Sequence, residues 1–207
     1  VTALAVLVAD LFLSERRRGV LGALALAGLA AAFCAALATP VAGGTLFGGR
    51  FTATPVTWWL NLLFLLAGML TVLLSMDLLD GRTTVRHRGM GARGEYYTVL
   101  LLTLTGMMYL MAATDLITLY VSLELATIPM FILAAWRRDD VKSGEAGLKY
   151  VVLTMISSAL MLYGLALIYG INGHTGLVRI AHVPSDPMLW FAVALVLAGA
   201  GAKFTVA

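Results

Sequence analysis

Stretches of about twenty apolar residues recur along this chain, separated by short connectors rich in arginine, glycine and proline. A helix rises about 1.5 Å per residue, so such a stretch can cross a hydrocarbon layer of about 30 Å. Seven segments emerge, roughly 1–13, 20–38, 56–76, 96–113, 115–136, 144–171 and 188–207. The connectors carry residues that stop helices: Pro40, Gly43, Gly44, Gly48, Gly49 and Pro55, then Asn172 and Gly173, then Pro184 and Pro187. Trp58, Trp59, Trp136 and Trp190 all fall at segment ends, where an amphipathic indole sits in the headgroup layer. The pattern predicts an all-α fold, a polytopic transmembrane helix bundle. Residues 1–207 read as a single transmembrane domain with no soluble domain.

Charge sorts the connectors into two kinds. The first, third and fifth hold Arg16, Arg17, Arg18, Arg82, Arg86, Arg88, Arg93, Arg137, Arg138 and Lys142, whereas the second, fourth and sixth hold only Arg50 and Arg179. By the positive-inside rule the odd connectors are cytoplasmic and the N-terminus lies outside. A missed or spurious span would scramble that alternation. It also explains the net charge of +3 and pI near 9.2 without any nucleic-acid partner.

Composition agrees with the pattern. Hydrophobic residues make up 61% of the chain and charged ones 12%, against about 25% charged in a typical globular domain. Cys34 is the only cysteine, which excludes an internal disulfide or a thiolate-held cluster; inside an apolar run it reads as a small buried hydrophobe. The opening run lacks an initiator Met and places its basic cluster after the apolar residues, unlike a signal peptide. With GAGAKFTVA breaking off inside an apolar run, the expectation is a fragment of a longer protein.

Three ionisable residues interrupt the apolar segments: Glu124, Lys149 and Lys203. A charge inside a membrane costs about 2.5–3.5 kcal/mol on insertion scales, so such residues mark ion or proton paths by default. Glu124 lies nine residues beyond Asp115, about 13 Å along a helix and too deep to reach water from either end. Pro129 follows five positions later and has no N–H for the Leu125 carbonyl, which favours a hydrated polar site over a merely structural carboxyl. Lys149 admits two readings. With a helix starting near Ser143 it snorkels to the cytoplasmic face or pairs with Glu145 four residues earlier; with a start near Asp139 or Asp140 it lies as deep as Glu124 and can pair across helices. Lys203 follows Ala198, Gly199, Ala200, Gly201 and Ala202, small residues that admit a close neighbour or water, with snorkelling as the alternative.

The remaining polar residues suggest less. Asp10 is expected to pair with Arg16 and Arg17 at the interface, and Asp115 to open its helix as an N-terminal acid. His87, His174 and His182 lie in connectors without metal-ligand spacing. GMGARG at 89–94 fits GxGxxG by chance, since no strand precedes it. No nucleophile–base arrangement, phosphate loop or metal cluster is visible, so no bond chemistry is expected of this chain itself.

Residues 95–170 carry a resemblance, most specifically in SLELATIP, the RRDD connector, and EAGLKY followed by SSALMLYG. The chain resembles the N subunits of bacterial respiratory complex I (NADH:quinone oxidoreductase), antiporter-like membrane subunits; VADLFLSERRR is similar to their start. The resemblance implies about fourteen helices in two inverted repeats, of which about seven are present here, the last of them broken. It implies that Glu124, Lys149 and Lys203 match the family's fifth-helix glutamate, sixth-helix lysine and seventh-helix lysine, and translocate protons. It also implies a multi-pass protein of the bacterial inner membrane, with other membrane subunits of complex I, the lipid bilayer and protons as partners. No cofactor is expected in this chain: NADH, FMN, iron–sulfur clusters and quinone would belong to partner subunits.

Burial disfavours an ammonium and a neighbouring carboxylate restores it, so making and breaking a Glu–Lys contact changes proton affinity. At about 4 Å and an effective dielectric near 20 such a pair is worth about 4 kcal/mol. On this reading Lys203 carries the proton, Glu124 switches it, and Lys149 is a relay or modulator. A subunit of a multi-subunit cation/proton antiporter or membrane-bound hydrogenase would use the same residues, and a static scaffold would only pair them.

Overall fold

The computed structural model describes residues 1–13, 19–39, 43–79, 93–137, 140–180 and 186–206. Each predicted apolar segment is helical there: α1 (Thr2–Phe12), α2 (Gly19–Ala38), α3 (Pro55–Leu79), α4 (Arg93–Ala112), α5 (Leu116–Ala134), α6 (Val141–Asn172) and α8 (Pro187–Val206). Two short features had not been expected. A hairpin of β1 (Gly44–Leu46) and β2 (Phe51–Ala53) lies between α2 and α3, and a single turn, α7 (Leu177–Ile180), lies between α6 and α8. By length and composition α2, α3, α5 and α6 are each sufficient to cross a membrane, while α1 and α8 are apolar but shorter. The fold is an all-α polytopic membrane bundle.

α4 is more polar than its neighbours, and its threonine hydroxyls bond back along the helix. Thr98, Thr103 and Thr105 donate to the carbonyls of Gly94, Val99 and Leu101, at 2.8, 3.2 and 2.8 Å. Such back-bonding satisfies a hydroxyl without water, so α4 can lie among apolar helices.

The helices pack as two groups. In the first, α1–α4 enclose Val6, Leu21, Ala25, Leu29, Leu65, Val72, Leu100 and Leu104. In the second, α5, α6 and α8 enclose Leu116, Leu123, Met161, Leu165, Ile168 and Ala192. The groups join along α4 and α5. There Gly106 lies against the backbone of Leu125 and Ala126, so close that a Cβ would collide.

The two ends of the bundle are built differently. At the end that bears Arg50 and Arg179, the loops are stitched together: Thr114 N–H donates to Arg50 O (2.9 Å), Leu116 N–H to Thr175 O (2.8 Å) and Leu177 N–H to Thr114 O (3.0 Å). The hairpin turn places Phe47, Gly48 and Gly49 at positive φ, which accounts for the glycine pair read as a helix stop. At the other end Asp140 caps α6 by accepting from Lys142 N–H, while the Ser143 hydroxyl donates to the Ala134 carbonyl (2.8 Å). Ser143 therefore ties α5 to α6 from within the helix instead of capping it.

One expectation is overturned. Cys34 is exposed on the outside of the bundle. An evenly apolar helix such as α2 gives no sequence signal for which face packs inward. Arg16, Arg17, Arg18, Arg82, Arg86, Arg88, Arg138, His87, His182 and residues 89–92 of the glycine motif lie outside the described residues. His174 is exposed beside the α6 cap, as read.

A buried ion pair between two membrane helices

Glu124 sits near the middle of α5, nine residues beyond its Asp115 cap and ten before Ala134, about 13 and 15 Å from the two ends. Asp115 fixes the start of that helix by accepting from Ile117 N–H (2.9 Å) and Thr118 N–H (3.2 Å). Pro129, buried one turn beyond Glu124, leaves the Leu125 carbonyl without its helical donor.

Lys203 comes to Glu124 from α8. The path of α8 is set by Gly199, where a Cβ would lie 2.6 Å from the Ser157 carbonyl oxygen, so α8 can approach the α6 backbone only with glycine there. α8 runs antiparallel to α6, with Gly164 packed on Ala192 and Gly199 on Ser157. One turn beyond Gly199, the Lys203 ammonium lies 2.6 Å from Glu124 Oε1. The side chains are 2% and 15% exposed, so the pair is almost sealed. Its attraction is offset by the cost of removing both charges from water, whereas losing one partner strands the other.

Lys149 is not part of this pair. It lies 2.5 Å from Glu145 at the i, i+4 spacing, with side chains 70% and 58% exposed. Although α6 starts at Val141, α6 also extends past the end of α5: Gly147 packs on Ala135, so Lys149 stands level with the last turn of α5. That is about 13 Å from the level of Glu124. Of the two readings left open, the local pair with Glu145 is the one formed.

Glu124 also faces a cleft of about 430 Å³ between α5 and α6, lined by Tyr120, Ile128, Phe131, Val151, Thr154, Met155 and Ser158. The sequence reading passed over Tyr120, Thr154 and Ser158. The available signal was spacing, since Tyr120 precedes Glu124 by four residues and so shares its helix face. Among the described residues no group of three His, Cys, Asp or Glu side chains could hold a metal ion.

The bundle of apolar helices is that of antiporter-like membrane subunits, as comparisons with known proteins show. Residues 113–207 match the family described as "NADH:quinone oxidoreductase/Mrp antiporter, TM". The chain is 40% identical over 193 residues to NADH-quinone oxidoreductase subunit N of Moorella thermoacetica, and 36% identical over 205 residues to that of Trichlorobacter lovleyi. These alignments cover 91% and 96% of this chain but 39% and 41% of the relatives, so it spans about two fifths of their length. In respiratory complex I from Thermus thermophilus, one chain superposes with a TM-score of 0.76 at 29% identity, covering 97% of this chain and 41% of that one. The Mrp complex from Dietzia sp. shares the fold, with a TM-score of 0.70 at 20% identity, covering 99% of this chain and 23% of that one. The chain belongs to the antiporter-like membrane subunit family of NADH:quinone oxidoreductases, and its curated relatives are N subunits.

Proposed function

We propose that this chain forms part of a proton-translocating membrane subunit of an NADH:quinone oxidoreductase, with the Glu124–Lys203 pair as its protonation switch. The observation that carries the reading is the 2.6 Å contact between two almost fully buried, oppositely charged side chains on different membrane helices. While the pair is closed, the carboxylate stabilises the ammonium. When it opens, the same desolvated lysine binds its proton less tightly and releases it. Lys203 is the carrier and Glu124 the element that sets its affinity. Lys149, with Glu145, forms a separate charge pair near the membrane boundary, and its role is that of a peripheral modulator.

The proposal extends to the setting. Other membrane subunits of the complex cover the exposed apolar faces, partner subunits hold NADH, FMN, iron–sulfur clusters and quinone, and the chain spans the bacterial inner membrane with its N-terminus outside. The described residues form one transmembrane domain, part of a longer antiporter-like subunit.

The test uses the complete complex reconstituted in vesicles. Glu124→Gln keeps the shape of the side chain and removes its charge. Proton translocation per quinone reduced is expected to fall at least about tenfold in assembled complex, as for loss of a bond to a charged group; translocation at the wild-type rate would contradict the reading. A second reading, a subunit of a cation/proton antiporter or membrane-bound hydrogenase, draws support from the shared fold of the Mrp complex. Copurification with antiporter subunits and no quinone-reductase subunits would favour it.

A further inference from the structure

Toward the stitched end, the seam between α5 and α6 opens into a second cleft of about 290 Å³, walled by Leu116, Ile117, Leu162, Leu165 and Ala166. Ile117, Leu162 and Ala166 are exposed, so the cleft gives onto the outer, membrane-facing surface of the bundle. Its few polar groups are those of Tyr120, Tyr169 and Thr175. Tyr169, in the last turn of α6, and Thr175, just beyond the Gly173 cap, form the rim, where a tyrosine meets the headgroup layer. Two arginines flank that rim. Leu116 N–H donates to the Thr175 carbonyl, Leu177 N–H to the Thr114 carbonyl and Thr114 N–H to the Arg50 carbonyl. These bonds hold Arg50 beside the first turn of α5 and place Arg179 two residues beyond Leu177. Both arginines are exposed, and among the described residues neither has an ion pair, whereas Arg137 and Lys149 at the opposite end each have a carboxylate partner. The acids nearby are spent on helix starts: buried Asp115 accepts from Ile117 and Thr118 N–H, and Asp186 from Met188 N–H. The exposed charge left over at this rim is positive.

We propose that this cleft is a binding site for an anionic phospholipid, with one acyl chain lying between α5 and α6 and the phosphate held at the rim by Arg50 and Arg179. An apolar cleft that opens sideways into a membrane is filled by hydrocarbon rather than by water. A partner helix, about 10 Å across with its side chains, is too wide to enter a cleft of this size, whereas a single acyl chain fits along it. Charge selects the headgroup. A guanidinium binds a phosphate through paired N–H donors, and two unpaired arginines at one rim favour a lipid that carries net negative charge. A zwitterionic lipid brings its own ammonium to the same place and loses that advantage. The Thr175 hydroxyl and the Tyr169 phenol add neutral donors for the remaining phosphate or ester oxygens. The inference stands on the membrane fold and the two arginines, and it is independent of the proton-switch role of Glu124.

The test uses the intact complex reconstituted in phosphatidylcholine vesicles that contain a trace of phosphatidylglycerol with a photoreactive group on one acyl chain. After illumination, peptide mapping is expected to find the label on the cleft walls, in the segments that hold Ile117 and Leu162 to Tyr169. Excess unlabelled phosphatidylglycerol is expected to displace it, and further phosphatidylcholine is not. The double variant Arg50→Gln/Arg179→Gln removes both charges from exposed positions and is expected to lower labelling about tenfold, the scale of two basic residues acting on an anionic lipid at a membrane surface. Ala166→Trp fills the cleft from an exposed position and is expected to abolish labelling there. Should the arginine variant fail to assemble, Ala166→Trp and the competition between the two lipids still decide. A photoreactive phosphatidylcholine that labels the cleft as strongly as the phosphatidylglycerol overturns the assignment. So does labelling that Ala166→Trp or the arginine variant leaves unchanged, or a cleft that takes up no label, as when a neighbouring subunit covers it.

Discussion

The two halves of the bundle differ in what they bury. Between α1 and α4 the interior is apolar apart from hydroxyls and the Asn61 amide, and the acids Asp10, Asp77 and Glu95 stand at helix ends, in the last turns of α1 and α3 and the first of α4. Between α5, α6 and α8, an apolar cluster of similar kind surrounds a carboxylate and an ammonium at mid-helix. The first group is what packing in a membrane asks for: small and large apolar side chains that interlock, with serine and threonine hydroxyls bonded back to their own helices and a neutral Ser75–Tyr96 contact across α3 and α4. The second accepts a desolvation cost that an apolar pair would avoid. A pair whose attraction is largely offset by desolvation, placed by glycines that constrain two helices, points to a function rather than to the fold.

Breaking the comparison from the costly side gives the largest effect. Glu124→Leu or Lys203→Leu alone leaves one buried charge without its partner, and each is expected to destabilise the assembled protein by about 3–5 kcal/mol. The double variant Glu124→Leu/Lys203→Leu is expected to recover most of that loss while proton translocation stays absent. Thermal unfolding of the three purified complexes, with translocation assays alongside, checks both halves of the expectation.

On the apolar side, Leu21→Ala opens a cavity at a fully buried position and is expected to cost about 2–5 kcal/mol. Here the translocation rate per assembled complex should not change. A rate loss as large as that of the ion-pair variants would erase the distinction between the two groups.

Gly199→Ala sharpens the comparison at the contact that positions Lys203. The new Cβ meets the Ser157 carbonyl, so α8 must shift, at about 1–3 kcal/mol. A partial loss of translocation with a lengthened Glu124–Lys203 contact is expected, measured by the assay and by a structure of the variant. Smallest of all is Glu145→Gln. It breaks an exposed pair, and a change within about 0.5 kcal/mol in thermal unfolding is expected.

Much of the fold was legible because apolar runs flanked by Gly, Pro and Trp have few alternatives in a membrane. Hydropathy located each long helix within a few residues, but the β1–β2 hairpin and α7 were missed. Three-residue strands carry too little alternation to register, and GGTLFGGR reads simply as a glycine-rich connector. The site was half legible. Glu124 and Lys203 stood out as charges in apolar runs, but their contact depends on how α5 and α8 pack across 79 positions of sequence. Lys149 could not be resolved because its position turns on packing: α6 begins where the deeper reading required, yet Gly147 meets Ala135 and leaves the lysine at the rim. Tyr120 escaped notice because a tyrosine in an apolar helix is ordinarily packing, and only the packing of α5 on α6 shows that it lines the same cleft as Glu124. Cys34 shows the same limit in reverse, since an evenly apolar helix does not declare its outer face.

The most direct measurement is proton translocation by a reconstituted complex carrying Lys203→Arg. Arginine keeps a positive charge opposite Glu124 but does not deprotonate in a protein. If the lysine carries the proton, assembly and the ion pair survive while translocation falls at least about tenfold, the scale expected for loss of a positioned proton-transfer group. Translocation at the wild-type rate would contradict a titrating role for Lys203 and leave the pair as a static contact.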